Sequence, residues 1–306
     1  MSSKVLVIGS SNVDLIMQID HLPRPGETVT GGVFSQVMGG KGANQAVAAI
    51  RAGASTAFIS CLGKDDFGDR MAAAFSKDGL NISGIVRSTS SSGTALISID
   101  KNGENSISVA PGANFDLSPK NIEQSKNLIQ EAELVLFQCE IHPITLKYAI
   151  DYCHQHGKKI LLNLAPAISL SEESLKKVNI LILNETETEF LSGLQVSKLS
   201  EAQEAALSLK KYAETIIITL GTRGAYIDGE EYKGHIPAFK VDAIDTTAAG
   251  DVFCGAFAAA LTSGLNHKES VRFASAASAL SVTRLGAQPS IPQKTEIDIF
   301  MSNQSN

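Results

Sequence analysis

Leu134-Val-Leu-Phe-Gln138, Lys159-Ile-Leu-Leu-Asn163 and Asn179-Ile-Leu-Ile-Leu183 set the pattern of this chain. Each is a short apolar run without polar alternation, as expected of a strand covered on both faces. Helical periodicity fills 143–156 between the first two and resumes at 185–192 and 200–213. A further strand follows at 215–219. Strands that alternate with helices imply a mostly parallel sheet with helices on both faces. The same reading extends outward from there. Val5-Leu-Val-Ile-Gly9 and Thr56-Ala-Phe-Ile-Ser60 are core strands, Asp66 to Lys77 is a helix ended by Gly79, and 118–131 is helical. Gly224 to Ile236 reads as a β-meander about Asp228-Gly229, and 248–263, 267–284 and 293–301 as helices. Two segments break the pattern. Residues 15–37 are short strand-like pieces divided by Pro23, Pro25, Gly26, Gly31 and Gly32. Residues 93–110 form a hairpin marked by Asn102-Gly103. Both are β without helices, so they group as one small sheet. With no internal repeat and no low-complexity linker, 1–306 reads as a single three-layer α-β-α domain with a β lid inserted.

The totals narrow the function. Of 306 residues, 43% are apolar and 19% charged, the composition of an ordinary soluble globular protein. Lys plus Arg is 26 against 32 for Asp plus Glu, a net charge of −6, which argues against nucleic acid as a main partner. Cys61, Cys139, Cys153 and Cys254 are scattered in apolar surroundings, which suits buried thiols in a reducing compartment. His154 and His156 read as surface residues. No run is apolar for the length of a membrane span, and Met1-Ser-Ser-Lys4 leads into a strand without a signal-peptide pattern. The expectation is a cytoplasmic enzyme-sized protein.

Asp245-Thr-Thr-Ala-Ala-Gly-Asp-Val-Phe-Cys-Gly-Ala-Phe257 is a loop turning into a helix, whose buried face is given by Phe253, Phe257, Ala260 and Leu261. Thr247 is the expected N-cap. Ala248, Ala249 and Gly250 leave the helix start unobstructed, so its free N–H groups and positive dipole end suit an anion such as a phosphate. Asp251 in that first turn either complements the dipole or stands ready to take a proton. Far upstream, Gly39-Gly-Lys-Gly-Ala-Asn44 runs into an Ala-rich helix that ends at Ala52-Gly53. Its glycines permit close approach of a ligand, with Lys41 and Asn44 as donors, although a Gly-rich helix start can also be purely structural. The order is not that of a P-loop, and no G-x-G-x-x-G follows Gly9, which disfavours a dinucleotide-dependent oxidoreductase. Asn12 and Asp14 beyond Gly9 are either turn formers or groups for sugar hydroxyls.

In a parallel sheet the residues just after the strands share one edge. Here they are Asn12 and Asp14, Glu140, Asn163, Asn184 with Glu187, and Thr219 with Gly221. Singly each reads as a cap or turn residue, whereas together they outline a polar cleft. Asn184-Glu-Thr-Glu187 places a carboxylate where Mg²⁺ beside a phosphate needs one. Thr219-Leu-Gly-Thr-Arg-Gly224 is either a plain turn or a phosphate contact made of N–H groups and a cation. A polyol, a nucleotide and one carboxylate base point to phosphoryl transfer to a hydroxyl.

The pair of motifs Gly39-to-Asn44 and Asp245-to-Asp251, with Leu22-Pro-Arg-Pro-Gly-Glu-Thr28 and Gly286-Ala-Gln-Pro-Ser290, resembles the ribokinase (PfkB-type) family of sugar and nucleoside kinases. The likeness runs from Asn12 to Pro292. It implies a central parallel sheet with a β lid that also forms a homodimer interface, and transfer of the ATP γ-phosphate to the 5-hydroxyl of D-ribose. By matching positions, Asn12, Asp14, Gly40, Lys41, Asn44 and Glu140 would hold the sugar, with Asp251 as base and Ala248-Ala249-Gly250 as anion hole. Asn184, Thr219, Gly221, Arg223, Gly224, Gly250 and Ser275 would meet the nucleotide. Ser275 stands where relatives carry His or Asn, which leaves nucleotide preference open. Glu187 would help place Mg²⁺ through water. Asp245, Thr247, Ser281, Arg284, Gly286 and Ser290 would surround K⁺, several through main-chain carbonyls. Sibling kinases of deoxyribose, fructose or adenosine, and a silent sugar sensor, are the alternatives.

Overall fold

The computed structural model describes residues 4–304; Met1 to Ser3, read above as leading straight into the first strand, lie outside them. The chain opens with β1 (Val5–Ile8), β2 (Asn12–Gln18), β3 (Val33–Gly39), α1 (Lys41–Arg51), β4 (Thr56–Gly63) and α2 (Asp66–Lys77). Strands β5 (Asn81–Ser88), β6 (Gly93–Ile99) and β7 (Asn105–Ala110) follow. Then come α3 (Pro119–Gln124), α4 (Lys126–Glu131), β8 (Leu134–Phe137), α5 (Pro143–Gln155), β9 (Lys159–Asn163), α6 (Glu172–Leu175) and β10 (Ile180–Leu183). The last part holds α7 (Glu185–Ser192), α8 (Leu199–Leu209), β11 (Thr215–Thr219), β12 (Ala225–Asp228), β13 (Lys233–Ile236), α9 (Ala249–Thr262), α10 (His267–Ser281) and α11 (Lys294–Asn303).

Among the described residues, nine strands form one sheet in the order β13-β12-β11-β10-β9-β8-β1-β4-β5, all running the same way except β12, which pairs antiparallel with both β11 and β13. Its centre is β1, whose residues alternate between two cores. Val5 and Val7 pack with α1 and α9 through Ala43, Val47 and Phe257. Leu6 and Ile8 pack on the other face with Leu146, Ile150 and Leu209 of α5 and α8. This is the expected three-layer α-β-α arrangement. A second sheet of four strands, β3-β2-β6-β7, is built from the two segments singled out as β without helices. Its first strand starts four residues after β1 ends, so the base of the second sheet sits at the carboxyl edge of the first.

Several elements differ from the sequence reading. Strand β5 was not expected: its register shifts at Ala57/Ile59 of β4, and a Cβ on Gly84 would lie 2.7 Å from Ile59. A bulge beside a glycine erases the period-2 signal. The helix expected over 118–131 breaks at Ser125, whose hydroxyl donates to the Asn121 carbonyl. Such back-bonding competes with the helical ladder. The helices expected over 200–213 and 267–284 close early, at Leu209 and Ser281.

Candidate active site

Helices α1 and α9 pack side by side, and small residues let them come close. A Cβ on Gly255 would lie 2.4 Å from the Gln45 carbonyl oxygen and 2.6 Å from Ala48 Cβ. Asp251 lies one turn before Gly255, and the close approach brings it to the start of α1. There Asn44 Nδ2 donates to Asp251 Oδ2 at 2.9 Å, and Gln45 Nε2 to Oδ1 at 2.9 Å. Asp251 is 5% exposed. Burial raises its pKa and Glu140 adds to this, while Lys41, Asn44 and Gln45 oppose it.

The N-cap of α9 is Ala248, not Thr247. Ala248 has φ +60°, the left-handed region that costs a residue with a Cβ about 1 kcal/mol or more. Thr247 is instead exposed, and its N–H donates to Asp245 Oδ1 at 2.9 Å. Because an alanine caps nothing, the N–H groups of Gly250 and Asp251 have no acceptor among the described residues; Ala249 N–H reaches the Thr246 carbonyl at 3.2 Å. The helix start is therefore left open to an anion.

Around Asp251 the predicted sugar-side residues converge. Asn12 and Asn44 are each 5% exposed. Glu140 Oε2 accepts from Ser10 Oγ at 2.6 Å and from the Lys41 amide at 3.0 Å, which ties β1, α1 and the end of β8 together. Asp14 lies against Gly39, where a Cβ would come within 2.2 Å of its Oδ2. Gly40, at φ +88°, backs onto the Asn12 amide, where a Cβ would sit at 2.6 Å. Burial first, then Glu140 and Asp251, push the Asp14 carboxyl up to about 6, with Lys41 opposing. Asp251 first, then Glu140 and Glu187, hold the Lys41 ammonium above its usual range. Asn44 Oδ1 is buried without a partner among the described residues, an acceptor that a sugar hydroxyl would satisfy.

On the other side of the α9 start lies a cleft of about 420 Å³. Thr219, Gly221, Gly224, Ala249, Gly250 and Ser275 line it, with Phe239, Val241, Phe253 and Val282 as its apolar walls. Gly224 is needed, because a Cβ there would lie 2.1 Å from the Ile236 carbonyl oxygen. Two of the expected nucleotide residues stand outside this lining. Asn184 is exposed and caps α7, its Oδ1 accepting from Glu187 N–H at 2.8 Å. The Arg223 guanidinium is held by Glu185 at 3.1 Å and by the Ser197 carbonyl.

Two places carry oxygen donors of the kind hard cations take. Glu187 is 8% exposed and uses Oε2 to accept from Asn184 N–H, which leaves Oε1 without a partner among the described residues. Its pKa is raised, chiefly by burial. Asp245 accepts from Thr247 N–H and, at 2.8 Å, from Gly286 N–H, joining two loops. Ser281 and Ser290 donate their protons to the carbonyls of Ser278 and Ala287, so their hydroxyl oxygens keep free lone pairs. Arg284 is paired with Glu296 at 2.6 Å and could offer a cation only its carbonyl. Among the described residues no three His, Cys, Asp or Glu side chains gather as a metal site.

Sequence reasoning passed over Ser10, Gln45, Gln138, Gly93 and Asn114. Asn114 donates to Asn12 Oδ1 at 2.7 Å and accepts from Ser11 N–H at 2.8 Å, and it leaves no room for a side chain at Gly93. Gln138 directly follows a core strand, as Glu140 nearly does, so its position carried a signal. Asn114 lies in a short 3-10 helix, Gly112–Asp116, and carried none.

Comparison with known proteins agrees with this fold. The model of the pfkB family carbohydrate kinases matches residues 2–294. The chain is 41% identical to a ribokinase of Haemophilus influenzae over 99% of its own length and 100% of that protein. A crystal structure of a Thermotoga maritima ribokinase superposes with a TM-score of 0.89 at 38% identity, covering 98% of this chain and 100% of that one. A structure of an Arabidopsis thaliana ribokinase complexed with ribose and ATP gives 0.90 at 29% identity, over 98% and 99%.

Proposed function

The chain belongs to the pfkB family of carbohydrate kinases, and we propose that it phosphorylates D-ribose at the 5-hydroxyl with ATP, giving ribose 5-phosphate and ADP. The observation that carries this reading is the position of Asp251. Its carboxylate faces Asn44 on the side where Asp14 and Glu140 gather, while the amides beside it open on the cleft lined by Thr219 and Ser275.

In this reading Asn12, Asp14, Gly40, Lys41, Asn44 and Glu140 hold the sugar. Asp251 takes the proton of the 5-hydroxyl as that oxygen attacks the γ-phosphorus and the bond to the β-phosphate oxygen breaks. The N–H groups of the Ala248-Ala249-Gly250 turn receive the charge that grows on the transferred group. The nucleotide occupies the cleft at Thr219, Gly221, Gly224, Gly250 and Ser275, with Asn184 and Arg223 at its rim. Glu187 would orient Mg²⁺ through water, and the ion would draw charge from the phosphates. K⁺ would sit by Asp245, Thr247, Ser281, Arg284, Gly286 and Ser290, and would lock the loop ahead of the anion hole. Residues 1–306 act as one domain, with 15–37 and 93–110 as its lid. The apolar groups exposed on that lid, Val33, Phe34, Leu96 and Ile107, suit a homodimer interface. No helix among the described residues is long and apolar enough to cross a membrane, and the four buried free thiols are consistent with a cytoplasmic enzyme.

The test is ADP release from ATP and Mg²⁺ with ribose, deoxyribose, fructose or adenosine, each in K⁺ and in Na⁺. Turnover greatest on ribose and enhanced by K⁺ is expected. Preference for another acceptor would move the chain to a sibling activity, and no turnover on any would favour a sugar sensor.

A further inference from the structure

Behind Asp251, away from the cleft, runs a row of buried amides. Gln45 and Gln138 are fully buried and Asn163 is 7% exposed. Asn163 Nδ2 donates to the Ile182 carbonyl at 3.3 Å, which turns its Oδ1 toward Gln45. The Gln45 NH₂ group then donates to Asn163 Oδ1 at 3.0 Å and to Asp251 Oδ1 at 2.9 Å. Its remaining acceptor, Oε1, receives Gln138 Nε2 at 2.7 Å. Each amide can face only one way. Turning Gln45 over would set its oxygen against both the Asp251 carboxylate and Asn163 Oδ1. Correcting that by turning Asn163 would orphan the Ile182 carbonyl.

We propose that Gln45 is a positioning residue for the phosphoryl transfer and Gln138 its anchor, together fixing Asp251 Oδ1 so that the carboxylate stays ionised and aimed at the acceptor. The inference rests on the reading of Asp251 as the base. Its force comes from what Asn44 does. Asn44 is the other donor to Asp251, but it also belongs to the sugar side and has an acceptor awaiting a partner. The Gln45 side chain is bonded to Asn163, Gln138 and Asp251 and can hold Asp251 throughout the cycle. A carboxylate kept ionised by a donor loses that help when the donor goes, and its pKa rises. The other groups that act on Asp251 electrostatically are Lys41, Glu140, Asp14, Glu187 and Cys254, none of which the substitutions below remove.

The experiment is a carboxyl ¹³C NMR titration of the full-length, ligand-free protein labelled at aspartate, with Asp251→Asn to assign the resonance. Gln45→Met keeps the length and shape of the side chain but has no donor; Gln138→Met leaves the Gln45 contact and frees its amide to turn. The Asp251 midpoint should rise by about one pH unit in Gln45→Met and by less in Gln138→Met. In parallel, the acid limb of kcat should move up by the same amount, about tenfold in rate at a pH below it, with KM for ribose unchanged. A role in packing alone would lower the melting temperature of both variants and leave the midpoint in place, and that result would overturn the proposal. Should Gln45→Met fail to fold, an unshifted midpoint in Gln138→Met overturns it equally. Absence of ribose turnover by the unaltered protein would sink the proposed function, while the titration would still decide the relay.

Discussion

Asn44 and Asp251, 207 residues apart in the chain, are joined by a hydrogen bond of 2.9 Å that links the starts of α1 and α9. The bond depends on how closely the two helices approach, and Gly255 sets that distance. Gly255→Ala would place a methyl group within 2.4 Å of the Gln45 carbonyl oxygen, which the α1 backbone can relieve only by moving away. The cost in stability is expected to be roughly 1–3 kcal/mol. Because the displacement opens the Asn44–Asp251 contact, kcat should fall by more than the loss of folded protein explains. Chemical denaturation and steady-state kinetics on one preparation separate the two effects.

Asp14 supplies a pH signature. Its carboxyl is pushed up to about 6 from its ordinary 3.8, so between these values the folded protein holds a proton that the unfolded chain releases. Its contribution to stability is therefore largest below 3.8 and declines as pH rises through about 6. Asp14→Asn removes an unfavourable buried charge and should raise the melting temperature at pH 7.5 by a few degrees, with little change near pH 4. The variant should also bind ribose more weakly, having lost a carboxylate acceptor for the sugar hydroxyls. Calorimetry at the two pH values and ribose titration check both parts; a lower melting temperature at pH 7.5 contradicts the first.

Glu187 has two separable duties. It closes the capping box of α7 with Asn184, which Gln can also do, and in the proposed reaction its charged oxygen would help place Mg²⁺. Glu187→Gln should leave the melting temperature within error, but raise the Mg²⁺ concentration needed for half-maximal activity several-fold. Asn184→Ala should instead lose about 1 kcal/mol from the missing cap. A Glu187→Gln variant with unchanged Mg²⁺ dependence would remove this residue from the metal's surroundings.

The sequence carried the architecture because the core strands are buried on both faces and read as apolar runs. It outlined the candidate site because Asn12 and Glu140 follow, and Asn163 and Thr219 close, strands that a parallel sheet brings to one edge. Strand β5 was illegible, since an edge strand with a bulge has neither an apolar run nor an alternation. The cap of α9 was misread for a related reason. Thr247 satisfies the local rule, and only the left-handed turn at Ala248 shows that the helix start is kept uncapped. The amides behind Asp251 were missed because Gln45 and Gln138 are polar residues inside helix and strand patterns, and their meaning lies in contacts across 93 residues of chain.

Asp251 is proposed to take the proton of the ribose 5-hydroxyl while that oxygen receives the γ-phosphoryl group of ATP. This role is tested most directly by following [γ-³²P]ATP and ribose with excess enzyme through one turnover, and identifying the labelled sugar, for the unaltered protein and for Asp251→Asn. Ribose labelled at the 5-position is expected, formed on the order of 10²–10⁴-fold more slowly by Asp251→Asn, with ribose affinity largely kept. An Asp251→Asn variant that labels ribose at the unaltered rate, or label at another hydroxyl, would contradict it.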